Sequence, residues 1–206
     1  MNGEKRGPLA EGERVLLFGG TFDPPHNGHI HFLKSAIEAA KPARVVVMPA
    51  CIPPHKAASA TPAALRLAMC ECFKPLFPAL EVSDWEIRQG GKSYTIDTVN
   101  MLEQTYPGAA VYLCVGSDML TTFTAWRSGP ELLRLPVLVA QSREEGDMPE
   151  LRAAARALEA EGGRVLFTQT PALPLASTEL RTNRRDLSLV PAAARRVIEE
   201  NHLYER

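Results

Sequence analysis

The chain of 206 residues lacks an excess of charge of either sign. Lysine and arginine number 23 against 24 aspartates and glutamates, which gives a formal net charge of −1. Because this composition provides no broad basic surface, nucleic acid is not expected to be the main partner. The sequence also lacks an uninterrupted apolar run of about 18 residues and an apolar leader, so neither a membrane span nor a signal peptide is predicted. We therefore expect a cytoplasmic protein with no membrane partner.

Cysteine is scarce, with four residues at positions 51, 70, 72 and 114. They form neither a CxxC pair nor the dense ladder of a small secreted protein, so we expect reduced thiols. Cys70 and Cys72 could in principle bind a metal, but no second pair follows at the spacing of a zinc finger. Packing in the core is the better interpretation, and no metal site on the protein is predicted.

What the sequence does contain is a regular alternation of short β-branched runs with helical patterns. Hydrophobic residues make up 45% of the chain, enough for one sizeable core. Runs of this kind separated by helices predict a parallel α/β sheet of about six strands with right-handed crossovers. The predicted strands cover residues 14–18, 44–48, 79–82, 110–115, 136–140 and 164–168.

Helical periodicity fills the connections between these runs. Ile30, Leu33 and Ile37 recur at steps of three and four before Pro42, which predicts an amphipathic crossover helix. The Thr-Pro pair at 61–62 predicts a threonine N-cap followed by proline in the first turn of another helix.

The chain is predicted to form a single domain over residues 1–206, with residues 1–13 as a flexible N-terminal segment. The charged stretch at 142–150 is predicted to be a surface loop rather than a linker, because the alternation resumes after it. Residues 190–204 carry an apolar stripe and predict a closing C-terminal helix.

The strongest signal for chemistry follows the first strand, where an open parallel sheet binds its ligands. Residues 19–29 read GGTFDPPHNGH. Glycines at a strand exit let the backbone approach a ligand, and the amides of the following helix suit a phosphate. His26 and His29 can face one ligand and donate N–H bonds to it, while His31 is assigned to the helix surface. Two alternatives are a plain glycine turn with solvated histidines and a metal site made of the two histidines. Each explains only part of the sequence at 19–29.

Other loops carry weaker signals, each with an ordinary structural alternative. Lys56 follows two prolines and is either a ligand contact or a solvated lysine. Residues 93–98 open a helix after a Gly-Gly turn, so they either receive a small carboxylate or only cap that helix. Asp118 follows strand four and is either a ribose or adenine contact or an N-cap. Arg181, one turn after Ser177, either forks a phosphate or is solvated beside a capping box.

The string GGTFDPPHNGH resembles the phosphate-binding signature of the HxGH-containing nucleotidyltransferases, and GGTFDP resembles the bacterial nicotinate mononucleotide adenylyltransferases. The resemblance implies a doubly wound, Rossmann-like α/β domain. It further implies transfer of AMP from ATP, carried with Mg²⁺, to nicotinate mononucleotide, giving nicotinate adenine dinucleotide and pyrophosphate. Further similar segments follow in the order of the family at 48–56, 93–99, 115–126, 177–181 and 202–204.

The resemblance also assigns roles to individual residues. The expected catalytic donors to the phosphates are His26, His29 and Arg181. The expected ATP-binding residues are Gly19, Gly20, Thr21, Phe22, Gly28, Gly116, Asp118, Ser177 and Thr178. The expected mononucleotide contacts are Lys56 at the phosphate, Tyr94 and Thr95 at the pyridine carboxyl or amide group, and Trp126 on the pyridine ring.

The sequence departs from the family pattern at two places. Leu175 and Ala176 replace the first two residues of the usual ISSTxIR string, which removes one hydroxyl. Gln141 stands where the family often has arginine, and Arg143 or Arg127 could compensate.

Several functional alternatives remain open at this point. The acceptor could be nicotinamide mononucleotide or phosphopantetheine, the enzyme could be a glycerol- or choline-phosphate cytidylyltransferase, or the chain could be a nucleotide-sensing module without catalysis. A homo-oligomer is compatible with the sequence.

Overall fold

The computed structural model describes residues 9–54, 58–142, 146–182 and 187–205. Most of the segment that we predicted to be flexible, residues 1–13, therefore lies outside the described residues. Leu9 packs against the core, and the amide of Gly12 donates to the carbonyl of Gly108 at 3.0 Å.

The described residues form one six-stranded sheet in the order β3-β2-β1-β4-β5-β6, and every neighbouring pair is parallel. The predicted strands are confirmed to within two residues at each end. The crossovers run to one side of β1 and then to the other, so the strand order reverses between β1 and β4. The strands are β1 (Arg14–Gly20), β2 (Arg44–Pro49), β3 (Leu80–Val82), β4 (Ala110–Gly116), β5 (Val137–Gln141) and β6 (Val165–Phe167).

Helices cover both faces of the sheet, which confirms the doubly wound α/β fold. One apolar cluster includes Val99 of α4 and Leu158 of α7, and the other includes Leu33 of α1 and Ile198 of α9. Because both faces are covered, residues 15–18 of β1 and all of β2 are buried, and apart from Arg44 these residues are apolar. The helices are α1 (Asn27–Ala40), α2 (Ala63–Cys70), α3 (Trp85–Gln89), α4 (Thr95–Thr105), α5 (Ser117–Thr121), α6 (Gly129–Leu132), α7 (Met148–Ala160), α8 (Ser177–Thr182) and α9 (Ala192–Glu200).

Two local expectations are wrong. The N-cap of α2 is Pro62 rather than Thr61, and no side chain caps this helix. The stretch predicted as a loop at 142–150 includes the start of α7 at Met148, because a proline in the first turn is compatible with a helix. Residues 143–145 of that stretch lie outside the described residues.

The remaining structural expectations are consistent with the fold. All four cysteines are free thiols, and Cys70, Cys72 and Cys114 are buried in the core as predicted. Within the described residues, no helix is both long and apolar enough to cross a membrane. The closing helix is confirmed as α9, which buries Ala194 and Ile198 against the sheet face that also carries α2.

Candidate active site

A cleft of about 1390 Å³ opens at the carboxyl ends of the strands, where the strand order reverses. Single small-molecule pockets have volumes of roughly 300–1,000 Å³, so this cleft has room for two nucleotides. Lys56 lies outside the described residues. Every other predicted site residue lines the cleft: Gly19, Gly20, Thr21, Phe22, His26, Gly28, His29, Tyr94, Thr95, Gly116, Asp118, Trp126, Ser177, Thr178 and Arg181.

His26 and His29 cap α1 reciprocally. The amide of His29 donates to Nδ1 of His26 at 3.3 Å, and the amide of His26 donates to Nδ1 of His29 at 3.1 Å. Because both Nδ1 atoms accept these bonds, the proton of each neutral ring belongs on Nε2. The helix start therefore sets the tautomer of both imidazoles and makes Nε2 the donor of each.

The two imidazoles lie close together on an aromatic support. Their ring centroids are 3.7 Å apart, and the ring of Phe22 packs edge-on against His29 at 5.2 Å. Phe22 is buried with a positive φ of 49°, so its ring packs under the loop while its backbone lies at the cleft. A Cβ at Gly20 would stand 2.9 Å from this ring, which explains the glycine there.

The α8 segment is attached directly to the loop after β1. The Ser177 hydroxyl donates to the carbonyl of Pro24 at 2.9 Å, so it ties two segments together rather than capping the helix. The Arg181 guanidinium donates to the carbonyl of Asp23 at 2.6 Å and to the Thr178 hydroxyl at 3.1 Å. Arg181 thus reaches the loop that carries His26 and His29.

Arg66 of α2 joins the loop after β1 to the loop after β2. This residue is only 1% exposed. Its guanidinium donates to four main-chain carbonyls, those of Thr21, Ala50, Cys51 and Thr61. These bonds fix two loops that line the cleft, and the partners are all neutral. A full positive charge is therefore buried beneath the cleft.

The side of the cleft expected to receive the pyridine ring is formed by α4 and the segment around Trp126. The helix α4 begins at Thr95 with Tyr94 at its N-cap. The Arg127 guanidinium lies 4.2 Å from the centroid of the Tyr94 ring, so it stacks there and joins the two segments. Trp126 packs against Phe123 with ring centroids 4.9 Å apart.

Glu86 of α3 also lines this side of the cleft and supports it. Its carboxylate accepts a hydrogen bond from the Thr98 hydroxyl on α4. Burial raises the pKa of Glu86, the hydroxyls of Thr98 and Ser93 lower it, and Asp97 raises it, with a net upward shift. Ser93 in turn accepts from the amide of Cys51 at 2.9 Å, which connects α3, α4 and the β2 loop.

The ends of β4 and β5 complete the cleft. The helix α5 begins at Ser117 with Gly116 at its N-cap, so Asp118 lies in the first turn and the alternative of an Asp118 cap is wrong. Gln141, where the family often has arginine, is buried and donates to the carbonyl of Thr170 at 3.0 Å. Of the two arginines considered as replacements, Arg127 lines the cleft, and Arg143 lies outside the described residues.

The described residues contain no group of three His, Cys, Asp or Glu side chains placed to hold a metal ion. The donors that line the cleft instead suit phosphate: the imidazoles of His26 and His29, the guanidinium groups of Arg127 and Arg181, and the amides of the glycine loop. The arrangement can therefore bind and polarise a polyphosphate.

Sequence reasoning did not identify four residues that organise the cleft: Asp23, Arg66, Glu86 and Tyr204. Asp23 and Tyr204 belong to segments that carry the family resemblance, yet their side-chain partners are distant in sequence. Arg66 and Glu86 are charged residues in helices, which by pattern alone are typical of a solvated face.

Comparison with known proteins identifies the family. The cytidylyltransferase-like family model matches residues 17–183. A protein of Neisseria meningitidis named probable nicotinate-nucleotide adenylyltransferase is 36% identical over 203 residues, with 94% of this chain and 100% of the relative covered. A protein of the same name from Exiguobacterium sibiricum is 34% identical, with 93% and 98% covered.

A solved structure provides independent support for the fold. The nicotinic acid mononucleotide adenylyltransferase of Plasmodium falciparum, complexed with NaAD, superposes with a TM-score of 0.75 at 16% identity, covering 93% of this chain and 97% of that one. The same enzyme complexed with APC gives a TM-score of 0.74. The sequence matches show that the chain belongs to the nicotinate-nucleotide adenylyltransferases of the cytidylyltransferase-like family.

Proposed function

We propose that this chain, acting as one domain over residues 1–206, transfers the AMP part of ATP to nicotinate mononucleotide. The products are nicotinate adenine dinucleotide and pyrophosphate. One observation carries the proposal: His26, His29 and Arg181 line the same cleft as Tyr94, Thr95 and Trp126. Phosphate donors thus face a segment suited to a pyridine carboxylate.

The reaction needs alignment more than activation. A phosphate oxygen of the mononucleotide attacks the α-phosphorus in line and forms the new P–O bond. The bond to the α–β bridging oxygen breaks, and pyrophosphate leaves with that electron pair. Because the nucleophile is already an anion, the chain requires no general base for this step.

His26 and His29 would donate from Nε2 to the phosphate oxygens on which negative charge grows, and Arg181 would donate to them from α8. Donors that are fixed before the reaction stabilise this charge without reorganising during it. The aromatic support of Phe22 and the reciprocal caps hold the imidazoles in place. Gly19, Gly20, Thr21 and Gly28 would present backbone to the triphosphate, and Asp118, Ser177 and Thr178 would contact the rest of ATP.

The acid group of the pyridine would bind at the start of α4. Amides in the first turn of a helix favour an anion, which supports a carboxylate over a carboxamide at Tyr94 and Thr95. Trp126 would stack on the pyridine ring, and Lys56 would contact the mononucleotide phosphate. Mg²⁺ would enter with ATP as part of the substrate, held by phosphate oxygens and water.

The test is pyrophosphate release with ATP, Mg²⁺ and one acceptor at a time. Nicotinate mononucleotide should give the highest kcat/KM, followed by nicotinamide mononucleotide, and phosphopantetheine should give no product. A preference for the amide would contradict the proposed role of the α4 start. Binding of ATP with no release of pyrophosphate in the presence of any acceptor would identify a nucleotide-sensing module instead.

A further inference from the structure

Asp23 is the point at which four separate segments of the chain meet. Its carboxylate accepts from the Ser59 hydroxyl at 2.6 Å and from the Tyr204 hydroxyl at 2.7 Å. Its main-chain carbonyl accepts from Arg181 at 2.6 Å. From this arrangement we infer that Tyr204 is a positioning residue for adenylyl transfer, which acts through Asp23 on Arg181. The inference rests on the proposed function.

The position of the Arg181 guanidinium depends on Asp23 twice. One nitrogen donates to the Asp23 carbonyl, and the same nitrogen lies 3.9 Å from the carboxylate. Arg181 is the longer and more exposed partner, with 35% of its side chain accessible against 8% for Asp23. A shift of the Asp23 carboxylate would therefore change the attraction that, beside the carbonyl bond, holds the guanidinium in its place in the cleft.

Tyr204 is suited to hold the carboxylate without neutralising it. A phenol donates one hydrogen bond and carries no charge, so Asp23 keeps its attraction for Arg181. Burial and the contact with Asp23 raise the pKa of Tyr204, so the hydroxyl remains a donor. Burial would raise the pKa of Asp23, but Ser59, Thr61, Tyr204 and Arg181 lower it, so the carboxylate remains ionised.

The backbone around Tyr204 is shaped for this contact. His202 and Tyr204 both have positive φ angles, 50° and 63°, which side-chain-bearing residues rarely adopt. This double left-handed turn brings the chain back from the end of α9, so that Leu203 and Tyr204 both line the cleft and both pack against the core. Such strain persists only where surrounding contacts hold it, and the bond to Asp23 is one of them.

The test is Tyr204→Phe, which keeps the ring and removes only the hydroxyl. We expect kcat to fall about tenfold, because a small displacement of a catalytic donor is costly, while KM for ATP and for the mononucleotide stays within about twofold. The matched control is Tyr106→Phe. Tyr106 also donates its hydroxyl to a carboxylate, that of Glu81 at 2.9 Å, but it does not line the cleft. The Tyr106→Phe variant should have a lower melting temperature than the wild type and an unchanged kcat.

A double-mutant cycle tests the route through Asp23. If Tyr204 acts through this carboxylate, Asp23→Ala with Tyr204→Phe should have the same kcat as Asp23→Ala alone. Asp23→Leu, which also removes both acceptor oxygens but fills their space, replaces the alanine variant if the latter does not fold. Three results would each overturn the inference. They are a double variant whose loss of kcat is the product of the two single losses, a kcat of Tyr204→Phe within twofold of the wild type, and a rise in KM alone. A wild-type protein that releases no pyrophosphate would instead overturn the proposed function.

Discussion

Gly28 lies so close to His26 that a Cβ atom on it would stand 2.9 Å from Nδ1 of the imidazole and 3.0 Å from its Cε1. The glycine between the two histidines is therefore required by the ring that caps the helix, and not by the backbone conformation. At Gly19, in contrast, a Cβ would meet only the carbonyl of Met48 at 4.0 Å. The two glycines should respond differently to alanine.

Gly28→Ala should displace the His26 ring. It should lower kcat by about tenfold or more, and it should also lower the melting temperature. Gly19→Ala should keep the melting temperature of the wild type and raise KM for ATP, because its methyl group enters the space expected for the nucleotide. Thermal unfolding and steady-state kinetics measure both effects. Equal melting temperatures for the two variants would contradict the packing argument at Gly28.

His29→Ala should lower kcat by roughly 10²–10³, the usual cost of losing one preorganised donor, and change mononucleotide KM much less. His31→Ala is the matched control on the same helix. His31 does not line the cleft, and its Nε2 lies 2.8 Å from the carbonyl of Pro171. Its kcat should stay within twofold of the wild type. Unchanged turnover in His29→Ala would refute the assigned role.

Arg66→Met should reduce the free energy of unfolding by roughly 3 kcal/mol, because several buried carbonyls lose their donor. Arg88→Met removes an exposed arginine that pairs with Asp84 at 2.9 Å and should change the same quantity by less than about 0.5 kcal/mol. Urea denaturation at neutral pH measures both. An Arg66→Met variant as stable as the wild type would show that the four bonds from Arg66 to main-chain carbonyls contribute no net stability.

Glu86→Gln should change how stability depends on pH. The pKa of Glu86 is raised by burial, so folding favours its protonated form. Its contribution is most favourable below the ordinary glutamate pKa of about 4.3 and is lost as the pH rises through the raised value. Relative to the wild type, the glutamine variant should therefore gain stability between pH 4 and pH 7. Urea denaturation across this range measures it, with Glu159→Gln on α7 as control. A difference that does not vary with pH would contradict the raised pKa.

The sheet and most helices were predictable from sequence because their signals are local. The six β-branched runs and the 3.6-residue periodicity of α1 depend only on neighbouring residues, and both are found in the structure. The loop at 19–29 was also predictable, since the position after the first strand of an open parallel sheet is where ligands bind.

The supports of the site were not predictable because they join distant parts of the chain. Tyr204 and Asp23 are 181 positions apart, and Arg66 reaches a carbonyl 45 positions away. The periodic spacing of apolar residues along the sequence does not indicate contacts between residues so far apart. The predicted threonine cap at 61 is wrong for a related reason, because the Thr61 side chain is hydrogen-bonded to Asp23 in the β1 loop and Pro62 is the N-cap.

The charge of Arg66 has a consequence for how the cleft attracts its substrates. Dissolved ions screen exposed charges over about 10 Å at 0.1 M, but they reach a fully buried guanidinium poorly. Its hydrogen-bond partners are neutral carbonyls, so its electric field extends toward the loops that line the cleft. Part of the attraction for a polyanion that is already seated in the cleft should thus persist at ionic strengths that abolish long-range steering by surface lysines.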